Sequence, residues 1–142
     1  MTMDATSRVQ AIQDCEQALY RNYHALDDSD YPAVAAGFAA DGVWHRQGKA
    51  LQGRAAIEAE LRQRPEGRVT AHIVTNVAVE LLDEENAHLR YLMTAYRHDA
   101  AAAAQGPAPI GSILLVARQD DRVRRTGGRW LVVERTQRRL FA

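Results

Sequence analysis

The chain is nearly without cysteine: Cys15 stands alone in 142 residues. That excludes an intrachain disulfide and any multi-cysteine metal centre. Cys15 falls inside a helical pattern and reads as buried packing. Lysine is equally scarce, since all but Lys49 of the 18 basic residues are arginine. The 18 acidic residues balance them, so the formal net charge is zero. No global field therefore argues for nucleic acid or a membrane surface. Long apolar runs are missing too, and none approaches the roughly 20 residues of a membrane span. The start, Met1-Thr2-Met3-Asp4, lacks the basic and apolar regions of a signal peptide. A cytoplasmic location is expected.

Several chemistries lack their motifs. There is no glycine-rich phosphate loop and no Gly-x-Ser-x-Gly elbow. His72, His45 and Asp27 are conceivable metal donors, but no His-x-x-x-His pair lies on one helix, so neither metal nor cofactor is expected. Arg122, Arg124 and Arg125 sit among Asp120, Asp121 and Gly127-Gly128. With mixed charges and no aromatic between them, they read as a solvated hairpin tip, not a nucleic-acid contact.

What remains is ordinary globular composition, 46% apolar and 25% charged, which suits a single domain over 1–142 with its core at about 7–140. Val9, Ile12, Leu19, Tyr23 and Leu26 recur at helical spacing, so residues 6–28 read as one amphipathic helix. Thr6 or Ser7 is its expected cap. Asp30 begins a second, short helix with Pro32 in its first turn and Val34, Ala35 and Phe38 on its apolar face, ending near Asp41-Gly42. Val43 to Gln47 is a short strand, and Gly53 to Arg64 a third helix with Ile57 and Leu61 inward. Beyond Pro65 the period becomes two, and strands are expected at 69–82, 87–98, 110–118 and 129–138. The alanine-rich stretch from Ala100, cut by Gly106, Pro107 and Pro109, reads as a loop. Helices followed by an antiparallel run make an α+β arrangement. In the strand from 69, Ile73, Val77, Val79 and Leu81 alternate with Thr70, His72, Val74 and Asn76. Neither set is solvent-like, which suggests helices on one face and a second copy on the other: a homodimer or higher homo-oligomer.

Two residues carry the chemistry. Asp27 closes the first helix, where a carboxylate meets an unfavourable helix dipole, so stability does not explain it. Asp30 is explained as a cap, and Asp28 reads as solvent-facing. His72 stands in the alternating strand. An imidazole held by a carboxylate moves protons near neutrality without metal or cofactor. Asn76 shares the expected face of His72, about 13 Å along at strand rise. Tyr23 and Trp44 are candidate walls for a flat ligand, and Tyr91 and Met93 alternate on a strand that closes the cavity. His45 and His98 read as exposed, and His24 as pointing away from Asp27.

The segments Ala25 to Tyr31, Phe38 to Trp44, Leu51 to Ile57 and His72 to Asn76 together resemble the SnoaL-like, nuclear transport factor 2-like superfamily. The likeness is nearest the branch of scytalone dehydratase-like proteins and ring-hydroxylating dioxygenase small subunits. It implies a cone-like, strongly bent mixed sheet wrapped around three N-terminal helices, with a deep pocket and usually a dimer. It also implies that Asp27 and His72 are a catalytic pair acting on a small, cyclic organic ligand as a lyase or isomerase. In the dehydratase-like branch a tyrosine precedes the aspartate; here that residue is Leu26. Tyr20, Tyr91 or Tyr96 is then left to supply a phenol. In the dioxygenase subunits the same shape serves assembly, so a non-catalytic subunit or ligand-binding protein is the alternative.

Overall fold

A computed structural model describes residues 2–103 and 105–142. Helix α1 spans Ala5–Asp27, and Asp4, not Thr6 or Ser7, caps it by accepting from the Ser7 N–H at 2.8 Å. Its buried stripe is Ala11, Cys15, Leu19, Asn22, Tyr23 and Leu26. Val9, expected in that stripe, is 66% exposed. The turn after Asp27 uses Ser29 in the left-handed region, and Asp30 then caps α2 (Tyr31–Ala36) through the Ala33 N–H. This helix is shorter than its apolar spacing suggests. It stops at Gly37, where a Cβ would lie 2.3 Å from the Asn22 amide nitrogen. Phe38 therefore opens a strand instead of sitting on a helix face.

Strand β1 (Phe38–Arg46) turns through Gln47-Gly48, both at positive φ, into β2 (Lys49–Gln52). β2 is too short for its alternation to register in the sequence. α3 (Arg54–Leu61) buries Ile57 and Leu61 as expected. The remaining strands are β3 (Gly67–Leu81), β4 (Asn86–Ala100), β5 (Leu115–Thr126) and β6 (Arg129–Phe141). They form one six-stranded sheet in the order β2-β1-β6-β5-β4-β3. Among the described residues β1 and β6 pair parallel, and the other neighbours are antiparallel. The sheet is thus mixed, not purely antiparallel, and α1 lies across it against β3 and β6.

Two strands differ from their reading for physical reasons. β5 continues to Thr126 through Gln119, Asp120 and Asp121. These polar residues look like a connection, but Ala117, Gln119, Asp121 and Val123 are all buried on one face. The turn is Gly127-Gly128 alone. The arginines therefore lie on the strand, not at a tip, and Arg124 pairs with Asp41 at 2.9 Å. In β3, Asn76 takes φ 56° and the ladder slips between Thr75 and Ala78. This bulge reverses the parity of the strand. Before it Thr70, His72 and Val74 face inward; after it Val77, Val79 and Leu81 do. One covered face thus accounts for a pattern that suggested two.

Candidate functional site

The end of α1 and the first half of β3 meet at Asp27 and His72. His72 Nδ1 is 2.5 Å from Asp27 Oδ1. The His72 backbone N–H donates to Oδ2 at 2.9 Å, and the Thr70 hydroxyl donates to Oδ1 at 2.9 Å. Arg64 in turn donates to the Thr70 hydroxyl and to the Leu26 carbonyl, each at 2.9 Å. The carboxylate, at the end of α1, is fixed by His72 of β3 and by the Thr70 side chain two residues before that histidine. Burial is the largest single influence on Asp27 and raises its pKa, but the hydrogen bonds and charge of His72 and the Thr70 bond outweigh it. Asp27 is held below the usual carboxylate range and stays ionised. An ionised acceptor on Nδ1 requires that nitrogen to carry the proton. In the neutral ring the lone pair is then on Nε2, which has no hydrogen-bond partner among the described residues.

His72 lines a narrow hollow of about 70 Å³ together with Tyr23, Leu26, Trp44, Met93 and Gln119. It also borders a shallower recess of about 200 Å³ with Tyr20, Asp27 and His24; His24 was expected to point elsewhere. A larger groove of about 480 Å³, between α1 and the β5–β6 hairpin, does not reach His72. His72 lines the hollow and, together with Asp27, the recess, and neither residue lines the groove.

Of the expected walls, Tyr23, Trp44 and Met93 line the hollow. Tyr23 leans on the imidazole with ring centroids 5.6 Å apart. Asn76 does not join them: the bulge turns it out to solvent, because alternation fails at that residue. Tyr91 does not line the hollow either. Its hydroxyl donates to Asp121 at 3.1 Å and lies 3.1 Å from the Tyr23 hydroxyl, inside a buried polar network. Burial pushes both phenols up, Tyr91 strongly. Tyr96 lines the hollow. His45, expected to be exposed, is half-buried and contacts Glu134 at 3.0 Å.

The network behind the hollow escaped the sequence reading. Arg135 is fully buried and grips Asp121 through three contacts of 2.8–3.1 Å. Its Nη1 donates to Asn22 at 2.9 Å. The guanidinium also lies 4.9, 5.1 and 5.3 Å from the ring centres of Tyr23, Phe38 and Trp44. A buried charge needs a partner, so Arg135 and Asp121 require one another. No apolar period marks it, because the polar Gln119 and Asp121 interrupt the alternation between Ala117 and Val123.

Helices packed across a curled, mixed six-stranded sheet make the cystatin-like, nuclear transport factor 2-like fold. The SnoaL-like domain family matches residues 7–136, and the chain belongs to it. Among solved structures, a candidate scytalone dehydratase from Novosphingobium aromaticivorans is similar at 20% identity and TM-score 0.79, covering 97% of this chain and 89% of that one. A nuclear transport factor 2-like protein with a cystatin-like fold from the same species matches at 21% and TM-score 0.75, covering 99% and 92%. A type 2 hexachlorocyclohexane dehydrochlorinase matches at 12% and TM-score 0.78, covering 97% and 90%. These likenesses show the fold. A search of curated proteins finds no match. Among the described residues, no group of three or more His, Cys, Asp or Glu is placed to hold a metal. No described helix is long and apolar enough to cross a membrane.

Proposed function

We propose that the chain is a cofactor-independent lyase or isomerase acting on a small cyclic organic molecule, with His72 as base and Asp27 as its orienting partner. The observation that carries this is the 2.5 Å contact between His72 Nδ1 and Asp27 Oδ1 beside the hollow. Nε2 takes a proton from a carbon next to a carbonyl, and Asp27 stabilises the imidazolium. The freed electron pair forms a double bond. In an isomerisation the proton returns at another carbon; in a dehydration it leaves with the departing hydroxyl as water. Positioned proton transfer of this kind is worth about 10²–10⁴-fold. Structures named for a dehydratase and a dehydrochlorinase share the fold, which is compatible with elimination chemistry.

The test is proton exchange of cyclic ketones in D₂O, followed by NMR. His72→Ala should abolish exchange while far-UV circular dichroism stays unchanged. Equal exchange in that variant removes the assignment. A non-catalytic assembly or ligand-binding subunit is the second reading, favoured by the narrowness of the hollow, about 70 Å³ against the roughly 300–1,000 Å³ usual for ligand sites. It predicts no exchange in either protein. A cytoplasmic homodimer completes the proposal. Val69 and Ile73 are 45% and 47% exposed on the outer sheet face, beside Ile110 at 94%. Ile73→Glu should convert a dimer to monomer in sedimentation equilibrium.

A further inference from the structure

The chain has no net charge, yet its hollow is strongly positive. Five arginines line it: Arg46, Arg64, Arg68, Arg97 and Arg139. No aspartate or glutamate does, among the described residues. Asp99 accounts for two of the five, lying 2.7 Å from Arg68 and 3.7 Å from Arg97. Arg46, Arg64 and Arg139 have no carboxylate within ion-pair distance among the described residues. Glu60, an acid in the field of Arg46, is taken by Lys49 at 3.1 Å. Asp27, in the field of Arg64, is taken by His72 and Thr70.

Such crowding is costly without a counter-charge. Arg46 is half-buried, its guanidinium 5.3 Å from the Trp44 ring centre. Desolvation, and next to it the charge of Arg64, lowers its pKa. Desolvation likewise lowers that of Arg64. Like charges set together in partial burial are relieved by an anion, and the planar fork of arginine suits a carboxylate. A second observation is independent of charge. Gln119 lines the hollow at 2% exposure. Its Nε2 donates to Gln137 at 3.0 Å, while its Oε1 is buried with no partner among the described residues. A buried acceptor without a donor is uncommon, and its residue lines the same space.

Resting on the acid–base reading above, we infer that the substrate is a cyclic carboxylic acid: its carboxylate is bound by Arg46 and Arg64, and a hydroxyl on its ring donates to Gln119 Oε1. The arginine field attracts the anion and stabilises negative charge that develops on the substrate when His72 removes a proton.

Salicylate, benzoate, neutral salicylamide and inorganic phosphate are the probes, titrated calorimetrically into the full chain. Salicylate should bind at least about tenfold more tightly than salicylamide, and weaken as salt rises. Arg46→Gln should weaken it at least about tenfold, with Arg46→Lys between. Gln119→Met should erase the preference for salicylate over benzoate. Arg139→Gln, at an exposed position, should weaken binding about two- to threefold even if the Arg46 variant does not fold. Salicylamide binding as tightly, phosphate displacing salicylate at equal concentration, no binding of either carboxylate, or unchanged affinity in Arg46→Gln would each overturn the inference. Salicylate binding with the expected preferences but no proton exchange in the unaltered chain sinks the acid–base reading alone.

Discussion

Replacing Asp121 by asparagine should cost about 3–5 kcal/mol of folding stability. The carboxylate and the Arg135 guanidinium are each 1% exposed at the side chain, so solvent does not screen the charge that remains. Three contacts of 2.8–3.1 Å are affected. Asparagine keeps the shape, but it removes the counter-charge and presents an N–H₂ group toward guanidinium donors. Arg135 keeps its bond to Asn22 and its three aromatic neighbours. Those soften the loss without replacing a full negative charge. Against a total of about 5–15 kcal/mol for a domain, the loss is large enough to move a urea midpoint well outside error. Equilibrium unfolding monitored by circular dichroism is the assay, with the slope expected to stay constant. Asp121→Leu combined with Arg135→Met should recover most of the loss, because no charge is then buried alone. A loss below about 1 kcal/mol in Asp121→Asn would refute the view that the two charges depend on each other.

Three further outcomes follow from particular residues. Asn76→Val should destabilise by about 1–3 kcal/mol, because a β-branched residue is strained at the φ of 56° held there; Asn76→Gly should be close to neutral, both read by thermal unfolding, and neither variant should alter salicylate binding. Asp27 is depressed in the folded state below its ordinary value of 3.8, so the unfolded chain binds the proton first. Its stabilising contribution is present above about pH 4 and is lost as pH falls through the lower folded value; in urea titrations from pH 6 to 3, Asp27→Asn should flatten that decline. Cys15 is 1% exposed and burial is the main cause that pushes its thiol up to about 12. A disulfide reagent at pH 8 should therefore modify it only on the unfolding timescale.

The reach of the sequence can be judged element by element. The long helix, the Asp30 cap, α3 and three of the long strands follow from spacing, because one-sided burial imposes a period on residues that contact the core. Asp27 stood out for the complementary reason, as an acid at a helix end where local energetics disfavour it. Asn76 was misplaced because a single left-handed residue reverses alternation, and asparagine carries no unambiguous mark of that conformation. Gln119 and Asp121 were taken for a loop because polarity is scored residue by residue, whereas their burial depends on Gln137 and Arg135 across the sheet.

By itself, then, the sequence determined the order and periodicity of the elements and set an aspartate and a histidine 45 positions apart, since those depend on local preference and on which faces are apolar. Only the tertiary structure decided that the two side chains touch, that Arg135 is neutralised in the core, and that unneutralised arginines converge on one hollow. Charges far apart along a chain acquire their energies from distance and solvent exposure, and both are fixed only when the sheet closes around the helix.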